Sequence, residues 1–342
     1  MSKILVTGGT GYIGSHTVVE LYNAGYTPVI VDNLSNSNIR ILDQLEKITG
    51  KRPEFHQFDL CDEAKVFAFV QQHPDIAGII HFAASKAVGE SVVQPLKYYH
   101  NNFFSLVNLL RAYQDKSINF VFSSSCTVYG EPDELPVTEA APVKKATSPY
   151  GNTKQIAEEI LEETANAHGN YHVIALRYFN PVGAHESALI GELPLGVPQN
   201  LLPFITQTAI GKREKLTVFG GDYDTPDGSC IRDYIHVVDL AKAHVAAIRL
   251  LEKGNPRGNY DVFNVGTGNG YSVLEAIAAF ERASGQKLNY VIGPRREGDI
   301  IKVWGDVTKS AAELGWKAEL GIDEMMSSAW AWEQYLSEHP LS

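Results

Sequence analysis

The chain opens with a short apolar run that leads directly into a cluster of glycines. Residues 4–7 read Ile-Leu-Val-Thr, and the following turn contains Gly8, Gly9, Gly11 and Gly14. The last three have the spacing Gly-x-Gly-x-x-Gly, which lets the backbone approach a pyrophosphate while the next helix N-terminus favours its negative charge. A tight strand–helix turn without a ligand would also use glycines. The position between a strand and a helix favours a dinucleotide site.

Asp32 strengthens this interpretation. It stands at the end of the next apolar run, Pro28–Val31, and a polar turn over 33–37 follows it. A carboxylate at this place accepts hydrogen bonds from the ribose 2′-hydroxyl of NAD and repels the 2′-phosphate of NADP. The sequence therefore predicts NAD as the cofactor.

Short β-branched runs alternate with helical patterns through the first half of the chain. This alternation predicts right-handed βαβ units and therefore a Rossmann-type, doubly wound parallel sheet in an α/β fold. Ligands of such sheets bind at the carboxyl ends of the strands. The predicted strands are 4–7, 28–31, 54–57, 78–81, 119–123 and 172–177, and the predicted helices are 13–23, a segment ending near 49, 63–71, 96–114 and 150–168. The residues expected at the binding edge are Thr7, Asp32, His81, Ser123 and Tyr178.

The length of 342 residues predicts one large domain with a smaller one. After Arg177 the regular rhythm ends, and 181–234 contain many prolines and glycines. We predict a cofactor-binding domain over 1–180 and a smaller, interleaved α/β domain mainly over 181–342, with about 235–265 returning to the first. Further elements are expected at 200–211, 215–218, 237–252, 260–264, 272–284 and 288–292.

Tyr150 and Lys154 lie four residues apart on a predicted helix. Positions i and i+4 share one face, so the ammonium can lie near the phenol, lower its pKa from about 10 and make it a general base. The same pair occurs by chance on exposed helices, but here it follows the strand that ends in three serines, 123–125. One serine hydroxyl is expected beside the substrate hydroxyl, and the spacing does not choose among the three.

Charge and cysteine content narrow the range of partners. The formal net charge of −11 argues against nucleic acid or an anionic membrane. Cys61, Cys126 and Cys230 are widely spaced and form no Cys-x-x-Cys pair, so we expect no disulfide framework and no metal. No apolar run is long enough for a signal peptide or a membrane-spanning helix, and we expect a cytoplasmic protein.

Other residues are candidates because of where they lie. Asp59 and Leu60 follow the third strand, where Asp59 would either contact adenine or cap the next helix. Lys86 follows the fourth strand and would be either a cofactor contact or a solvated surface lysine. Two cationic segments, 232–236 and 295–299, would either clamp a diphosphate or form surface ion pairs.

Taken together, these motifs resemble the extended short-chain dehydrogenase/reductase superfamily and, within it, the UDP-glucose 4-epimerase family. The resemblance extends over nearly the whole chain. The matching segments are TGGTGYIGSH (7–16), DNLSNS (32–37), KAVGES (86–91), SSSCTVYG (123–130), SPYGNTK (148–154), RYFNPVGAH (177–185), RDYIHVVDLA (232–241), FNVGTG (263–268) and RREGD (295–299).

The resemblance implies a role for each matching residue. Catalysis would fall to Tyr150, Lys154 and Ser125. The NAD contacts would be Gly8, Gly11, Tyr12, Ile13, Gly14, Asp32, Asn33, Leu34, Ser35, Asn36, Ser37, Asp59, Leu60, Phe82, Ala83, Ala84, Lys86, Asn101, Ser123, Tyr150, Lys154 and Phe179. The nucleotide-sugar contacts would be Lys86, Ser125, Tyr150, Asn180, Asn200, Leu201, Phe219, Arg232, Tyr234, Arg296, Asp299 and Val303.

The resemblance also implies a reaction and a partner. Tyr150 would take the proton of the C4 hydroxyl of a UDP-hexose. The C4 hydride would pass to NAD and return to the opposite face after the 4-keto sugar has rotated, which interconverts UDP-galactose and UDP-glucose. A homodimer packed through helices near 97–114 and 150–167 is implied as well. The alternatives are a non-catalytic NAD sensor and a nucleotide-sugar 4,6-dehydratase, a family that typically has Asp-Glu where this chain has Cys126-Thr127.

One position departs from the family pattern. Family enzymes restricted to glucose and galactose often carry a tyrosine five residues before the equivalent of Thr308, and this chain has Val303 there. A smaller side chain leaves room for a 2-acetamido group, so we expect UDP-GlcNAc and UDP-GalNAc to be accepted too. Ordinary packing of Val303 is the competing explanation.

Overall fold

The structure is a computed structural model, and it describes residues 1–255, 257–296 and 299–341. Its first half alternates strands with helices. The strands are β1 (Lys3–Thr7), β2 (Thr27–Asp32), β3 (Glu54–Gln57), β4 (Ile76–His81), β5 (Ile118–Ser123) and β6 (Tyr171–Tyr178). The helices are α1 (Tyr12–Asn23), α2 (Ile41–Thr49), α3 (Glu63–Gln72), α4 (Val88–Val93), α5 (Pro95–Ala112) and α6 (Pro149–Ala167), with a 3-10 turn at Cys126–Tyr129.

In the described part of the second half, most strands have two to four residues and four α-helices occur. The strands are β7 (Asn180–Val182), β8 (Leu216–Phe219), β9 (Ile231–Arg232), β10 (Tyr234–His236), β11 (Tyr260–Val265), β12 (Tyr271–Ser272), β13 (Tyr290–Gly293) and β14 (Lys302–Val303). The helices are α7 (Leu201–Ala209), α8 (Val237–Lys253), α9 (Val273–Ser284) and α10 (Ile322–Glu338), with a π-helical turn at Ser310–Leu314.

Seven strands form one parallel sheet in the order β11-β6-β5-β4-β1-β2-β3. Each neighbouring pair is parallel, including β11 with β6. The chain runs from β1 outward to β3 and then returns to place β4 on the other side of β1. The strand order therefore reverses between β1 and β4, and a crevice opens at the carboxyl ends of these two strands. This is the Rossmann-type sheet that the sequence predicts.

Helices cover both faces of this sheet because side chains alternate along each strand. In β1, Ile4 and Val6 belong to the apolar cluster that contains residues of α1, α2 and α8. Leu5, between them, belongs to the cluster that contains residues of α3, α5 and α6. All three side chains are buried. Strand β1 therefore has apolar side chains on both faces and is buried on both sides, as a central strand of a parallel sheet requires.

A smaller core lies outside the large sheet. It joins apolar residues of α7, α9 and α10 with β8, and Phe280 and Met325 are among its buried members. Three small sheets accompany it, in the orders β10-β7, β12-β9-β14 and β13-β8. Because β7 pairs with β10, and β9 with β14, this part of the chain is assembled from segments far apart in sequence.

The two halves are interleaved. Helix α8 and strand β11 follow residue 180 in the chain, yet α8 packs against α1, and β11 forms an edge of the large sheet. The domain boundaries given above, at residue 180 and around 235–265, stay predictions.

Three features of the fold differ from the sequence prediction. Helix α10 was not predicted, although Met325, Ala329, Trp332 and Leu336 follow a helical spacing and are buried. The helix expected over 96–114 is preceded by the separate short helix α4. The strands β7, β9, β10, β12 and β14 were also missed, because two or three residues are too few to display an alternating pattern.

Two surface properties bear on partners. Among the residues that the structure describes, no helix combines the length and apolarity needed to cross a membrane. Helices α4 and α5 expose large apolar side chains: Val92, Val93, Leu96 and Phe104 are each more than half exposed.

Candidate active site

Five strand ends meet at the carboxyl edge of the large sheet. Strands β1, β2, β4, β5 and β6 end at the residues that the sequence analysis placed there: Thr7, Asp32, His81, Ser123 and Tyr178. The ends of β1 and β4 are joined through side chains, because the Thr7 hydroxyl and the Nδ1 atom of His81 are 2.8 Å apart. These ends form the floor of the candidate site.

The glycine turn is closely packed, and its glycines are required by space. Gly8 has a φ of +70°, and a Cβ atom on Gly14 would lie 2.2 Å from the carbonyl oxygen of Gly8. Gly11 is the N-cap of α1 and brings no side chain over the helix end. The first N–H groups of α1 therefore face an uncovered turn, which is the arrangement that holds a pyrophosphate.

Asp32 organises the loop that follows β2. Its carboxylate accepts hydrogen bonds from the amide of Leu34 (2.9 Å), the hydroxyl of Ser37 (3.1 Å) and the amide of Thr10 in the glycine turn (3.2 Å). Leu34 has a φ of +61°, a left-handed conformation that costs free energy for a non-glycine residue. The loop over 33–37 is thus held against the glycine turn, where a ribose would lie beside a pyrophosphate.

The structure decides one alternative for Asp59. Asp62, not Asp59, caps α3, because its side chain accepts the amide of Lys65 at 3.2 Å. Asp59 instead accepts hydrogen bonds from the amide of Cys61 (2.8 Å) and the side chain of Asn33 (3.0 Å). Asp59 therefore ties the turn after β3 to the loop after β2, and the capping explanation of Asp59 is wrong.

Tyr150 and Lys154 lie on the first turns of α6. The helix begins where its sequence predicts, because Ser148 accepts the amide of Gly151 at 3.1 Å and Pro149 occupies the first helical position. Both side chains of the pair are buried. The ammonium of Lys154 donates to the carbonyl oxygen of Ser123 at 2.6 Å and lies 5.9 Å from the centre of the Tyr150 ring.

The two pKa values shift in opposite directions, and burial is the main cause of both shifts. Burial lowers the pKa of Lys154 to about 8, partly opposed by the carboxylate of Glu158, so the amine still carries its proton at neutral pH. Burial raises the pKa of Tyr150 well above its usual value, and Tyr178 reinforces the shift. In the protein alone the phenol is therefore neutral. The net shift of the Tyr150 pKa in the protein alone is thus upward, opposite to the lowering expected from Lys154. That lowering stays a prediction for Lys154 acting together with the nicotinamide cation.

The three serines after β5 have three different partners. Ser123 donates to the hydroxyl of Tyr178 at 3.1 Å, and Ser124 donates to the buried carboxylate of Glu158. Ser125 caps the 3-10 turn, and the influence of its hydroxyl on the phenol of Tyr150 opposes the upward shift of that pKa. Ser125 is therefore the serine beside Tyr150, a choice that spacing did not make.

The segment after β4 passes over the glycine turn. The amide of Phe82 donates to the carbonyl of Thr7 at 3.1 Å, and a Cβ atom on Gly8 would lie 3.0 Å from the amide nitrogen of Ala83. Ala84 follows, half-buried like Phe82 and Ala83. Lys86 reaches Glu192, with 3.6 Å between Nζ and Oε1, and lies 6.0 Å from the centre of the Tyr12 ring. Lys86 is therefore an ion-paired residue at the edge of the crevice.

Asn102 is a buried residue that the sequence analysis missed. Its side chain bonds both backbone groups of Ser85 (2.8 and 3.1 Å) and the hydroxyl of Thr153 on α6 (3.0 Å). The predicted Asn101 donates to the side-chain oxygen of Asn102 at 3.0 Å. Asn102 thus fixes the segment after β4 relative to the helix that carries Tyr150. The sequence offers two adjacent asparagines and no signal that distinguishes them.

Several candidate residues of the second half lie close to one another. Burial raises the pKa of the Cys230 thiol, a shift that Arg232 opposes and Asp299 reinforces, so these two flank the same thiol. Arg296 pairs with Asp299 at 2.5 Å and lies over the ring of Phe219 at 5.4 Å. Helix α7 begins with Asn200 as its N-cap and Leu201 as its first residue. Strand β7 begins at Asn180, and strand β10 begins at Tyr234. Glu297 and Gly298 of the RREGD segment lie outside the described residues.

One arginine of the cationic segment 295–299, Arg295, has a different carboxylate partner from Arg296. Arg295 pairs with Asp222 at 2.8 Å and lies over the ring of Tyr223, and both members of this ion pair are at least half exposed. This pair matches the surface ion-pair explanation.

Glu192 is a further residue that contacts two candidates. Asn200 donates to Glu192 at 2.5 Å, and Lys86 pairs with the same carboxylate. No sequence spacing pointed to Glu192.

Asp233 is a second buried residue that the sequence analysis missed. Its carboxylate accepts three hydrogen bonds, at 2.7 to 3.1 Å, from Thr267 and Gly268, and a longer one from the amide of Gly305 at 3.4 Å. It follows Arg232 directly, so it joins the strand that carries Arg232 to two loops from later in the chain. The sequence signal that could have identified Asp233 is its position within the family-matching segment RDYIHVVDLA.

Val303 lies inside an apolar cluster next to the same crevice. The cluster contains Phe179, Val128 and Val303, with Cys126 packed against it. Val303 pairs with Arg232 across β14 and β9, and it is buried. Phe179 fills the space that a Cβ atom on Gly305 would need. Val303 therefore lies one strand from a candidate substrate residue and in the cluster that contacts the residue after Ser125.

This fold and this site define a class of protein. A glycine turn opening a Rossmann-type sheet, with a buried tyrosine, lysine and serine at its carboxyl edge, is the arrangement of the extended short-chain dehydrogenases/reductases. A family model described as "GDP-mannose 4,6 dehydratase" matches residues 5–329, in agreement with that superfamily.

Individual relatives narrow the assignment. A UDP-glucose 4-epimerase of Dictyostelium discoideum is 51% identical over 334 residues, which cover 97% of this chain and 95% of the relative. The crystal structure of a UDP-glucose 4-epimerase from Stenotrophomonas maltophila, with bound NAD and formylated UDP-arabinopyranose, superposes with a TM-score of 0.94 at 46% identity and covers 99% of both chains. That from Bifidobacterium longum, in complex with NAD+ and UDP, gives a TM-score of 0.92 at 47% identity, again over 99% of both chains. The chain belongs to the UDP-glucose 4-epimerase family.

Proposed function

We propose that the chain catalyses the NAD-dependent 4-epimerisation of a UDP-hexose, interconverting UDP-galactose and UDP-glucose. The observation that carries the proposal is the position of Tyr150. Its buried phenol lies beside Ser125 and Lys154, at the carboxyl edge of a sheet whose first turn is a glycine cradle. The relatives that combine this fold with bound NAD and a UDP compound belong to the same family.

The residues at the carboxyl edge suit NAD as a resident cofactor. The glycine turn and the N-terminus of α1 would hold its pyrophosphate, and the loop arranged by Asp32 would hold the adenosine ribose. Asp59 and Leu60 would border the adenine, and Phe179 and the segment 82–86 would border the nicotinamide half. When bound, NAD supplies a hydride acceptor that also returns the hydride.

Tyr150 would move the proton that accompanies this hydride. The phenolate would take the proton of the sugar C4 hydroxyl, with Ser125 holding the same hydroxyl in line. Because burial raises the pKa of Tyr150, the phenolate needs positive charge nearby, and the protonated amine of Lys154 supplies part of it. Burial also excludes water, so the proton is returned to the sugar and not lost to solvent.

Epimerisation requires a sugar that turns while its nucleotide stays bound. Arg232 and Arg296 would hold the UDP diphosphate, because guanidinium groups bind phosphate oxygens in pairs. Arg296, whose side chain is exposed, forms an ion pair with the largely buried Asp299, and a diphosphate would reorganise this pair. Asn180, Asn200, Leu201, Phe219 and Tyr234 would complete the nucleotide contacts. Strong contacts at the nucleotide and weak contacts at the sugar leave the 4-keto ring free to rotate.

Two alternatives remain to be distinguished by experiment. A 4,6-dehydratase, the activity in the description of the matching family model, needs carboxylates after Ser125, and here Cys126 and Thr127 stand there. The thiol of Cys126 has a pKa raised to about 12 by burial and is a poor acid–base group at neutral pH. A non-catalytic NAD sensor has no use for a buried Tyr150 beside Ser125.

The proton role of Tyr150 makes the first prediction. We expect Tyr150→Phe to lose at least about 100-fold in the turnover of UDP-galactose to UDP-glucose, because the ring stays and the proton acceptor goes. Tyr99→Phe, which changes a half-buried tyrosine on α5, serves as the matched control and should keep wild-type turnover. The assay contains no added reductant, and product analysis by mass distinguishes an epimer from a product that has lost water. Wild-type turnover in Tyr150→Phe, or a dehydrated product, would contradict the proposal.

A second prediction concerns the sugar. We propose that UDP-GlcNAc and UDP-GalNAc are also substrates, because Val303 is smaller than tyrosine at this place beside Phe179 and Cys126. Val303→Tyr should lower turnover of UDP-GlcNAc at least about 10-fold by overfilling the site and should spare UDP-galactose. Rates on both substrates, measured with the same preparation, test this. Equal failure of wild type and variant on UDP-GlcNAc would leave Val303 as ordinary packing.

A third prediction concerns a second copy of the chain. We propose a homodimer through α5 and α6, supported by the exposed stripe formed by Leu96, His100 and Phe104, with spacing i, i+4 and i+8 along α5. Sedimentation equilibrium at micromolar concentration should give the mass of two chains, and Phe104→Lys should give one. Tyr290→Lys, at another exposed ring, is the control and should stay dimeric. A wild-type mass of one chain would contradict the proposal.

The expected cytoplasmic location stays a prediction. It is supported by three unpaired thiols, Cys61, Cys126 and Cys230, which suit a reducing compartment. Cell fractionation tests it.

A further inference from the structure

Three potential metal ligands converge at the far edge of the large sheet. Glu54 and His56 are two residues apart on β3, so their side chains point to the same face of the strand. His73 is the C-cap that directly follows α3, the helix after β3. Glu54 is the first residue of β3, which places it at the amino end of the strand, opposite the carboxyl edge that holds Tyr150. The epimerisation mechanism uses none of the three.

The ligand atoms are close enough to share one ion. The Oε1 atom of Glu54 lies 2.9 Å from Nε2 of His56 and 3.6 Å from Nδ1 of His73, and all three atoms fall within 4.8 Å of one another. Zinc binds histidine nitrogen and carboxylate oxygen at about 2.0–2.1 Å, so neighbouring ligands in a tetrahedral site are about 3.3 Å apart. The two distances from Glu54 lie on either side of that value.

The two imidazole rings are held in place by packing. Phe69, one helical turn before His73 on α3, stacks on the His73 ring at 4.4 Å and meets the His56 ring edge-on at 5.0 Å. Phe69 is buried, so it forms a fixed support under both rings. The His56 and His73 rings are themselves 4.7 Å apart and nearly perpendicular. The site therefore loses little conformational freedom when an ion binds.

The surroundings are compatible with a cation. The ammonium of Lys3, which acts on His73, is paired with Asp75 at 2.9 Å, and this pairing balances its charge beside the cluster. The side chain of His73 is 12% exposed, that of His56 30% and that of Glu54 41%, so an ion can enter from solvent and keep a water ligand. A plain surface ion pair would account for Glu54 with one histidine. That explanation does not account for the position of both imidazole rings, His56 and His73, against the same Oε1 atom of Glu54.

We propose that Glu54, His56 and His73 form a binding site for a divalent transition metal of the zinc class, with water completing the coordination. Two imidazoles and one carboxylate suit Zn²⁺, and the same set binds Co²⁺, whereas Mg²⁺ prefers oxygen ligands alone. The ion joins β3, an edge strand of the large sheet, to the end of α3. The site acts on the stability of this edge and not on the reaction.

The test is a calorimetric titration of tag-free, NAD-loaded protein with ZnCl₂, followed by thermal unfolding. We expect one Zn²⁺ per chain, a rise in melting temperature of about 3 °C at saturation, and no binding of Mg²⁺. His73→Gln and Glu54→Gln should each weaken zinc binding at least about 100-fold. His168→Gln, an exposed histidine outside the cluster, should bind zinc as the wild type does.

Two further readouts keep the result clear. Co²⁺ should give the intense visible absorption of a tetrahedral site in the wild type and not in Glu54→Gln, which leaves both rings on Phe69. Turnover of UDP-galactose should be the same in all variants, with or without zinc. Failure of the wild type to bind zinc, or equal zinc affinity in wild type and Glu54→Gln, overturns the proposal without affecting the proposed epimerase function.

Discussion

The ammonium of Lys154 donates a hydrogen bond of 2.6 Å to the carbonyl oxygen of Ser123. This contact ties the first turns of α6 to the carboxyl end of β5, and it thereby sets where Tyr150 lies relative to the sheet edge. A buried ammonium costs free energy unless it is hydrogen-bonded or paired. The bond to Ser123, together with the carboxylate of Glu158 one turn later on α6, keeps the amine protonated at neutral pH although burial lowers its pKa to about 8.

The same region is fixed from behind by a buried ion pair. Glu158 binds Arg177 of β6 at 2.6 Å and also accepts the hydroxyl of Ser124. One carboxylate therefore joins α6, β5 and β6, while Ser125 is the serine that acts on the pKa of Tyr150. The protein alone holds the phenol neutral, since burial outweighs the charges present. Under the proposed mechanism, proton transfer at Tyr150 would depend on additional positive charge, which an oxidised nicotinamide carries and a reduced one lacks. The strength of the proton acceptor would then follow the redox state of the cofactor.

Much of the fold was readable from the sequence, because strands of four to eight residues and amphipathic helices display their periods. The glycine turn, Asp32 and the Tyr150–Lys154 pair were found because their spacing is local. Asn102 and Asp233 were missed because their partners come from distant segments: Asn102 bonds Thr153, and Asp233 bonds Thr267. Such contacts are fixed only when the chain is folded, and no local pattern reports them.

The upward pKa shift of Tyr150 in the protein alone was missed for the same reason. Four-residue spacing correctly placed the ammonium and the phenol on one helix face, and it carried no information on burial. Burial decides the direction of the pKa shift, and it is a property of the whole fold. The cluster of Glu54, His56 and His73 illustrates the same limit, since the two histidines are seventeen positions apart and resemble no metal-binding motif.

The most direct test of this account is the titration of Tyr150 in the two redox forms of the cofactor. Phenolate absorbance near 295 nm would be followed against pH in the NAD+ and NADH forms of the protein, with Tyr150→Phe subtracted in each. The account predicts that the phenolate of Tyr150 forms at distinctly lower pH in the NAD+ form, because the added positive charge offsets burial. The same midpoint in both forms would contradict it.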